Sequence, residues 1–265
     1  MSIIEAIILG IIQGLTEFLP VSSSGHLEIG KVLLGVEIRE SLGFTVMVHL
    51  ATVFSTITVF FSEIRQLITG TFRLKWNRET QYVFRLVVSA IPVLIAGVLL
   101  EDEIESLFNR SESSLVVVGS ALLFTALLLA LTSFIKPGKQ KRVPLPDAFV
   151  MGMAQALAVI PGLSRSGSTI ATGLLLKNNR EEVARFSFLM VLIPILGASF
   201  LKALDWSAAG TGNTGALPLA AGFIAAYISG FLACKWMINI VKKGKLIWFA
   251  IYCAIVGLLS IIFTV

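Results

Sequence analysis

The sequence predicts an all-α integral membrane protein with six transmembrane helices and two re-entrant helical hairpins in an inverted-topology repeat. Three observations lead there. The 265 residues are 56% hydrophobic and only 14% charged, and the mean hydropathy of +0.89 lies far outside the balance of a soluble domain. Two polar runs, Pro20-Val21-Ser22-Ser23-Ser24-Gly25-His26 and Pro161-Gly162-Leu163-Ser164-Arg165-Ser166-Gly167, each sit between apolar limbs too short to cross a bilayer. Three apolar stretches of spanning length follow each run.

The first limb, Ile3 to Leu15, reaches roughly 20 Å at about 1.5 Å per residue, against a hydrocarbon core of roughly 30 Å. The chain therefore enters, turns at the polar run and returns through Leu27 to Val36, a re-entrant hairpin over 3–36. Such a loop persists at membrane depth only where protein or a polar cavity shields its backbone. Spans 43–61, 83–100 and 115–135 complete a first repeat, 1–135, with Pro92 expected to bend the second span. A cytoplasmic linker, 136–147, holds Pro137, Pro144 and Pro146. The second repeat, 148–265, begins with a hairpin over 148–176 and continues with spans 186–204, 217–240 and 246–265.

Charge sets the orientation. Arg65, Arg73, Lys75 and Arg78 lie between the first and second spans, whereas Glu101, Asp102, Glu103, Glu105 and Glu112 dominate the next connection. The positive-inside rule makes the former cytoplasmic. The linker lysines, Lys177 and Arg180, and Lys242 to Lys245 obey the same orientation, so both termini are expected outside. The formal charge of +5 is thus a topological signal and implies no nucleic-acid partner. Met1 to Glu5 has no basic n-region and no cleavage pattern follows, so a removable signal is not expected. Cys234 and Cys253 fall in apolar stretches without metal spacing and read as buried thiols.

The halves match at one fixed offset: Gly10 with Gly152, Gln13 with Gln155, Ser22 with Ser164, Ser24 with Ser166, Gly25 with Gly167, and Phe44 with Phe186. An odd number of crossings in each half inverts one relative to the other, which brings the two hairpins together near the midplane. In each hairpin a helix restarts just after the Ser-Gly run, aiming backbone N–H groups and a positive dipole end at the turn. Such ends attract phosphate.

Several side chains there carry chemistry. Arg165, a permanent cation in an apolar hairpin, needs an anion: either an internal pair with Glu17 or a bidentate phosphate, with Ser164, Ser166, Thr169 and the loop amides of Gly25 and Gly167 adding hydrogen bonds. Gln13 and Glu17 are four apart and share a helix face. Glu17 is then a structural tie, an oxygen ligand for Mg²⁺ or Ca²⁺ with help from Gln13, or a base. Ser22, Ser23 and Ser24 exceed what one helix cap needs, and a hydroxyl beside a base is a nucleophile; His26 is the nearby side chain whose ordinary pKa suits that duty. His49, the other histidine, reads at least as readily as a packing residue. Diphosphate hydrolysis needs such a set of phosphate-stabilising charge, metal and nucleophile.

The stretches Gln13-Gly14-Leu15-Thr16-Glu17-Phe18-Leu19-Pro20-Val21-Ser22-Ser23-Ser24-Gly25-His26 and Pro161 to Gly167 resemble the two signatures of the bacterial undecaprenyl pyrophosphate phosphatase (bacitracin-resistance protein) family. The resemblance covers essentially the whole chain. It implies a plasma-membrane enzyme that removes the terminal phosphate of undecaprenyl diphosphate, with divalent-metal dependence, to recycle the lipid carrier of cell-wall synthesis. The family's functional positions fall on Glu17, Ser23, His26 and Arg165, with Ser22, Ser24, Ser164, Ser166 and Thr169 nearby. Its Glu/Gln-x-x-x-Glu motif falls on Gln13 and Glu17, so this chain offers one carboxylate there, not two. Attack by Ser23 activated by His26 is the expected chemistry, ahead of attack by His26 or by a metal-bound water.

The expected partners are a polyprenyl diphosphate and membrane lipids, with a homodimer left open. A transporter or flippase for a phosphorylated lipid is the rival reading, because inverted repeats with broken helices also build secondary carriers. The acid-phosphatase type of lipid phosphatase is set aside, since no His follows Arg165.

Overall fold

The computed structural model describes residues 1–34, 42–99, 114–139, 142–197 and 215–263, which fold as helices with no strand among them. Helix α1 spans Ile3–Phe18 and opens on a capping box: Ser2 Oγ accepts the Glu5 N–H while the Glu5 carboxylate accepts that of Ser2. It stops before Pro20, which disfavours helical geometry in the residue ahead of it. Helix α2 is Ser23–Leu34 and α3 is Leu42–Val59. A 77° bend then leads into α4, Phe61–Thr71, an amphipathic helix within the basic stretch that sequence reading did not mark as an element.

Helix α5, Arg78–Leu99, runs through Pro92 as one element. Helix α6 is Ser114–Thr132; α7, Leu145–Leu157, begins directly after Pro144 with Pro146 in its first turn, where a missing N–H costs nothing. Ser164 caps α8, Arg165–Leu175, and Asn179 caps α9, Arg180–Met190, after which residues 192–197 are helical again. Helix α10, Ala216–Lys243, ends on Gly244 in the left-handed conformation, and α11 is Ile247–Ile262. The acidic connection around Glu101 to Glu112 and most of the Asp205 to Gly215 loop lie outside the described residues.

Helices pair across the halves. The short α1 lies along α10, which also packs on α3, while the short α7 lies along α5; α6 packs on α11 and α8. Small residues permit these approaches: a Cβ at Gly10 or Gly14 would strike the backbone of Gly222 or Ala226, and one at Gly152 would strike that of Ser89. Close helix contact through small residues is the packing mode that works where lipid removes the hydrophobic drive between helices. The largest core gathers Phe18 of α1, Met151 of α7, Phe186 and Phe188 of α9 and Met237 of α10.

Among the described residues three helices are long and apolar enough to cross a membrane, Arg78–Gly97, Leu115–Thr132 and Ala216–Lys243, and a fourth is counted if the bent α3–α4 pair is one span. Outward-facing Phe124, Leu127, Ile251, Ile255 and Leu258 are exposed, as expected of surfaces that meet acyl chains. Cys234 and Cys253 are both buried free thiols, and Cys253 donates to the Pro20 carbonyl at the first turn.

Candidate active site

The two polar turns are built alike. Ser22 Oγ accepts the Gly25 N–H (3.3 Å) and lies 3.3 Å from Ser24 Oγ. Ser164 Oγ accepts the Gly167 N–H (3.0 Å) and lies 3.4 Å from Ser166 Oγ. Each turn contains one residue in the left-handed region, Ser22 (φ 69°) and Gly162 (φ 83°). At Gly162 a Cβ would also meet the Val118 backbone, so glycine is required twice over.

The turns touch. Ser24 Oγ accepts the Gly162 N–H (3.4 Å), and Ser166 donates to the Leu19 carbonyl (3.1 Å). Thr125 of α6 accepts the Ser164 N–H (3.1 Å), tying the second turn to the bundle.

Glu17 stands where they meet. Its Oε2 accepts from Ser23 Oγ (2.7 Å) and from Gln13 Nε2 (2.9 Å). Its Oε1 lies 3.8 Å from Arg165 Nη1, and His49 Nε2 lies 3.9 Å from Oε2. The carboxylate is only 9% exposed and the guanidinium 32%; a buried carboxylate so surrounded is balanced by charge and hydrogen bonds, while the arginine keeps donors for a second anion.

His26 lies at the restart of the helix as expected but does not bond Ser23. Its Nδ1–H donates to the Ser22 carbonyl (2.8 Å), and in the neutral ring Nε2 accepts from the Tyr252 hydroxyl (2.7 Å), with the two rings stacked. Both nitrogens are thereby occupied away from Ser23. The expected Ser23–His26 pair is replaced by Ser23–Glu17, because α2 turns the imidazole toward α11. Thr169 donates to the Arg165 carbonyl (2.9 Å) and pairs with Ser187 (2.6 Å), so it braces the start of α8 behind the cavity.

His49, by contrast, faces the site. Its Nδ1–H donates to the Thr45 carbonyl (2.8 Å), which presents Nε2 toward Glu17. It joins Glu17, Ser23, Ser24, Ser164, Arg165 and Ser166 in lining a polar cavity. No local motif announces it; only the packing of α3 against α1 brings it in.

Hydroxyls, a guanidinium and two helix starts around one buried carboxylate suit a phosphoryl group and a proton transfer from Ser23. They also suit a hard cation. Among the described residues no three His, Cys, Asp or Glu side chains cluster, so a cation here would have to rely on the Glu17 carboxylate, on Gln13 Oε1, which is buried without a partner, and on substrate oxygens, as Mg²⁺ commonly does.

A model of the family described as Bacitracin resistance protein BacA matches residues 6–259. The chain belongs to that family. Among curated relatives of this bacitracin-resistance family, the undecaprenyl-diphosphatase of Parabacteroides distasonis is 56% identical over 98% of both chains. That of Bacteroides thetaiotaomicron is 54% identical over 99% of both, and that of Methanosphaera stadtmanae is 38% identical over 100% of this chain and 99% of its own. Family membership and the membrane-length helices make this a multi-pass membrane protein.

Proposed function

We infer that this chain is an undecaprenyl-diphosphatase, releasing inorganic phosphate from undecaprenyl diphosphate and so returning the monophosphate carrier to cell-wall synthesis. The observation that carries the reading is the Ser23–Glu17–Arg165 constellation at two abutting helix starts, in a chain so like diphosphatases over its full length. Ser23 Oγ attacks the terminal phosphorus while Glu17 Oε2 takes its hydrogen, and the bond to the bridging oxygen breaks so that undecaprenyl monophosphate leaves with that electron pair. Arg165 and the turn amides hold the phosphoryl oxygens as charge develops there, and His49 delivers or receives a proton beside Glu17. Water then cleaves the phosphoserine. Glu17 and Gln13 would hold Mg²⁺ or Ca²⁺, whose contribution when bound is to neutralise phosphoryl charge.

The same reading extends to topology: six spans, two re-entrant hairpins, termini outside, and repeats 1–135 and 148–265 joined by the 136–147 linker. Support comes from the pairing of each short first limb with a long helix of the other half and from the matching Ser22–Gly25 and Ser164–Gly167 hydrogen bonds. The site then opens outward in the bacterial plasma membrane, which Cys labelling of Ser23→Cys by an impermeant reagent tests from either side.

Protein purified in detergent should release phosphate from undecaprenyl diphosphate only with divalent metal, and Glu17→Ala or Arg165→Ala should abolish release. Full activity of either variant would overturn the site. Transport of a phosphorylated lipid is the lesser reading, because carriage gives the short Ser23–Glu17 bond no task; vesicles that hydrolyse the lipid without moving its monophosphate across exclude it.

A further inference from the structure

A second cavity adjoins the polar one and shares Glu17, Arg165 and Ser166 as its wall. Its other lining is mostly apolar, with Phe18, Val53, Phe188 and Ile195, but Gln155 also lines it. Gln155 is 1% exposed, and neither its Nε2 nor its Oε1 has a hydrogen-bond partner. A buried amide with both ends unmatched is costly unless something absent from the free protein meets it.

The remaining polar groups of this cavity point to what that is. The Thr52 hydroxyl donates to the His49 carbonyl and that of Thr56 to the Thr52 carbonyl, while Thr169 and Ser187 bond each other. Their hydrogens are already placed. The donors still available are the Gln155 amide and the Arg165 guanidinium, so a ligand here must offer acceptor oxygens at one end and an apolar body at the other.

We propose that this cavity receives the non-transferred half of the lipid diphosphate, with Gln155 Nε2 donating to the ester-linked phosphate and the first isoprene units lying against Val53, Phe188 and Ile195. The inference rests on the diphosphatase reading and adds the direction in which the substrate lies across Glu17 and Arg165. During transfer the bond between the terminal phosphorus and the bridging oxygen breaks, and its electron pair stays on the departing prenyl phosphate. Gln155 is placed to hydrogen-bond that charge. In the first half the equivalent position is Gln13, which bonds the carboxylate of Glu17; in the second the corresponding residue is Val159, so Gln155 has no carboxylate to satisfy it.

The test compares wild type, Gln155→Met and Gln155→Asn in detergent, with undecaprenyl diphosphate as substrate and undecaprenyl monophosphate or inorganic phosphate as inhibitor. Gln155→Met is expected to raise KM and the inhibition constant of the monophosphate by about tenfold, the usual scale of one hydrogen bond to a charged group. Inhibition by inorganic phosphate and Tm should hold. Should the Met variant not fold, Gln155→Asn, which withdraws the amide by one methylene, is judged by the same ratio. A wild-type KM and monophosphate inhibition in the variants, or a change confined to inorganic phosphate or to Tm, overturns the proposal. Direct binding of the monophosphate separates the two readings: a wild type that neither hydrolyses the diphosphate nor binds the monophosphate fails the diphosphatase reading, whereas one that does both, with variants unaltered, fails this inference alone.

Discussion

Ser23 donates its hydroxyl hydrogen to Glu17 across 2.7 Å, while His26, three residues further along the same helix, is held by Tyr252 of α11 at 2.7 Å. The carboxylate, not the imidazole, is therefore the group in position to receive the serine proton. Glu17→Gln, which keeps the shape and loses the base, is expected to lower kcat by about 10²–10³, within the usual range for a general base. Ser23→Ala should fall at least as far, and the double variant no further than the worse single one, because residues acting as a unit are not additive. Steady-state phosphate release measures all three.

His26 acts through the turn. Its Nδ1–H holds the carbonyl of Ser22, a non-glycine residue at φ 69°, a conformation that costs of order 1–3 kcal/mol without support. His26→Ala is expected to lower Tm together with activity. Tyr252→Phe keeps that bond and should retain activity within about tenfold, the scale of one hydrogen bond. Activity lost in both variants at unchanged Tm would place the imidazole in the chemistry after all.

Metal dependence should follow the number of carboxylates. Removal of divalent ions by a chelator is expected to stop phosphate release and readdition of Mg²⁺ or Ca²⁺ to restore it. Gln13→Glu adds a second oxygen anion on the face already carrying Glu17, so half-maximal activity should come at a lower metal concentration. A half-maximal concentration that stays the same would remove position 13 from the metal site.

Gly162 combines φ 83° with a Cβ path that ends on the Val118 backbone. Gly162→Ala should cost at least about 1–3 kcal/mol from the backbone alone, seen as a lowered Tm, and should open the contact between Gly162 N–H and Ser24.

At the exposed start of α9, Glu181 accepts a hydrogen bond from Lys242 of α10 at 2.8 Å, and that bond lowers the Glu181 pKa below its ordinary value. A lowered folded-state pKa stabilises at pH values above the ordinary carboxylate range, and the contribution disappears as pH falls through the folded value. The difference in Tm between wild type and Glu181→Gln should accordingly be present at neutral pH, correspond to less than about 1 kcal/mol for so exposed a pair, and fade as pH falls below the ordinary Glu value of about 4.3.

Much of this molecule is written locally. Hydropathy marks α5, α6 and α10, since burial in lipid acts on one helix at a time. The Ser-Gly runs mark both turns, because Ser22 with Gly25 and Ser164 with Gly167 are capping contacts only three residues long. Bringing Glu17 and Arg165 together needed just the cost of burying either alone and the logic of facing hairpins. Helix α4 escaped because Arg65 and the basic residues that follow it, Arg73, Lys75 and Arg78, read equally as a cytoplasmic connection.

What the tertiary structure decided is which groups meet. Helix periodicity puts Ser23 and His26 on neighbouring faces of α2 without saying which side chain Glu17 will take and which Tyr252 will take. That depends on how α2 rotates against α1 and α11. His49 enters the site from α3, and Gln155 is left unmatched within the second cavity, through contacts between helices far apart in the chain. A hydrogen bond is decided within tenths of an ångström, a scale that residue order sets within one helix turn and that only packing sets between helices.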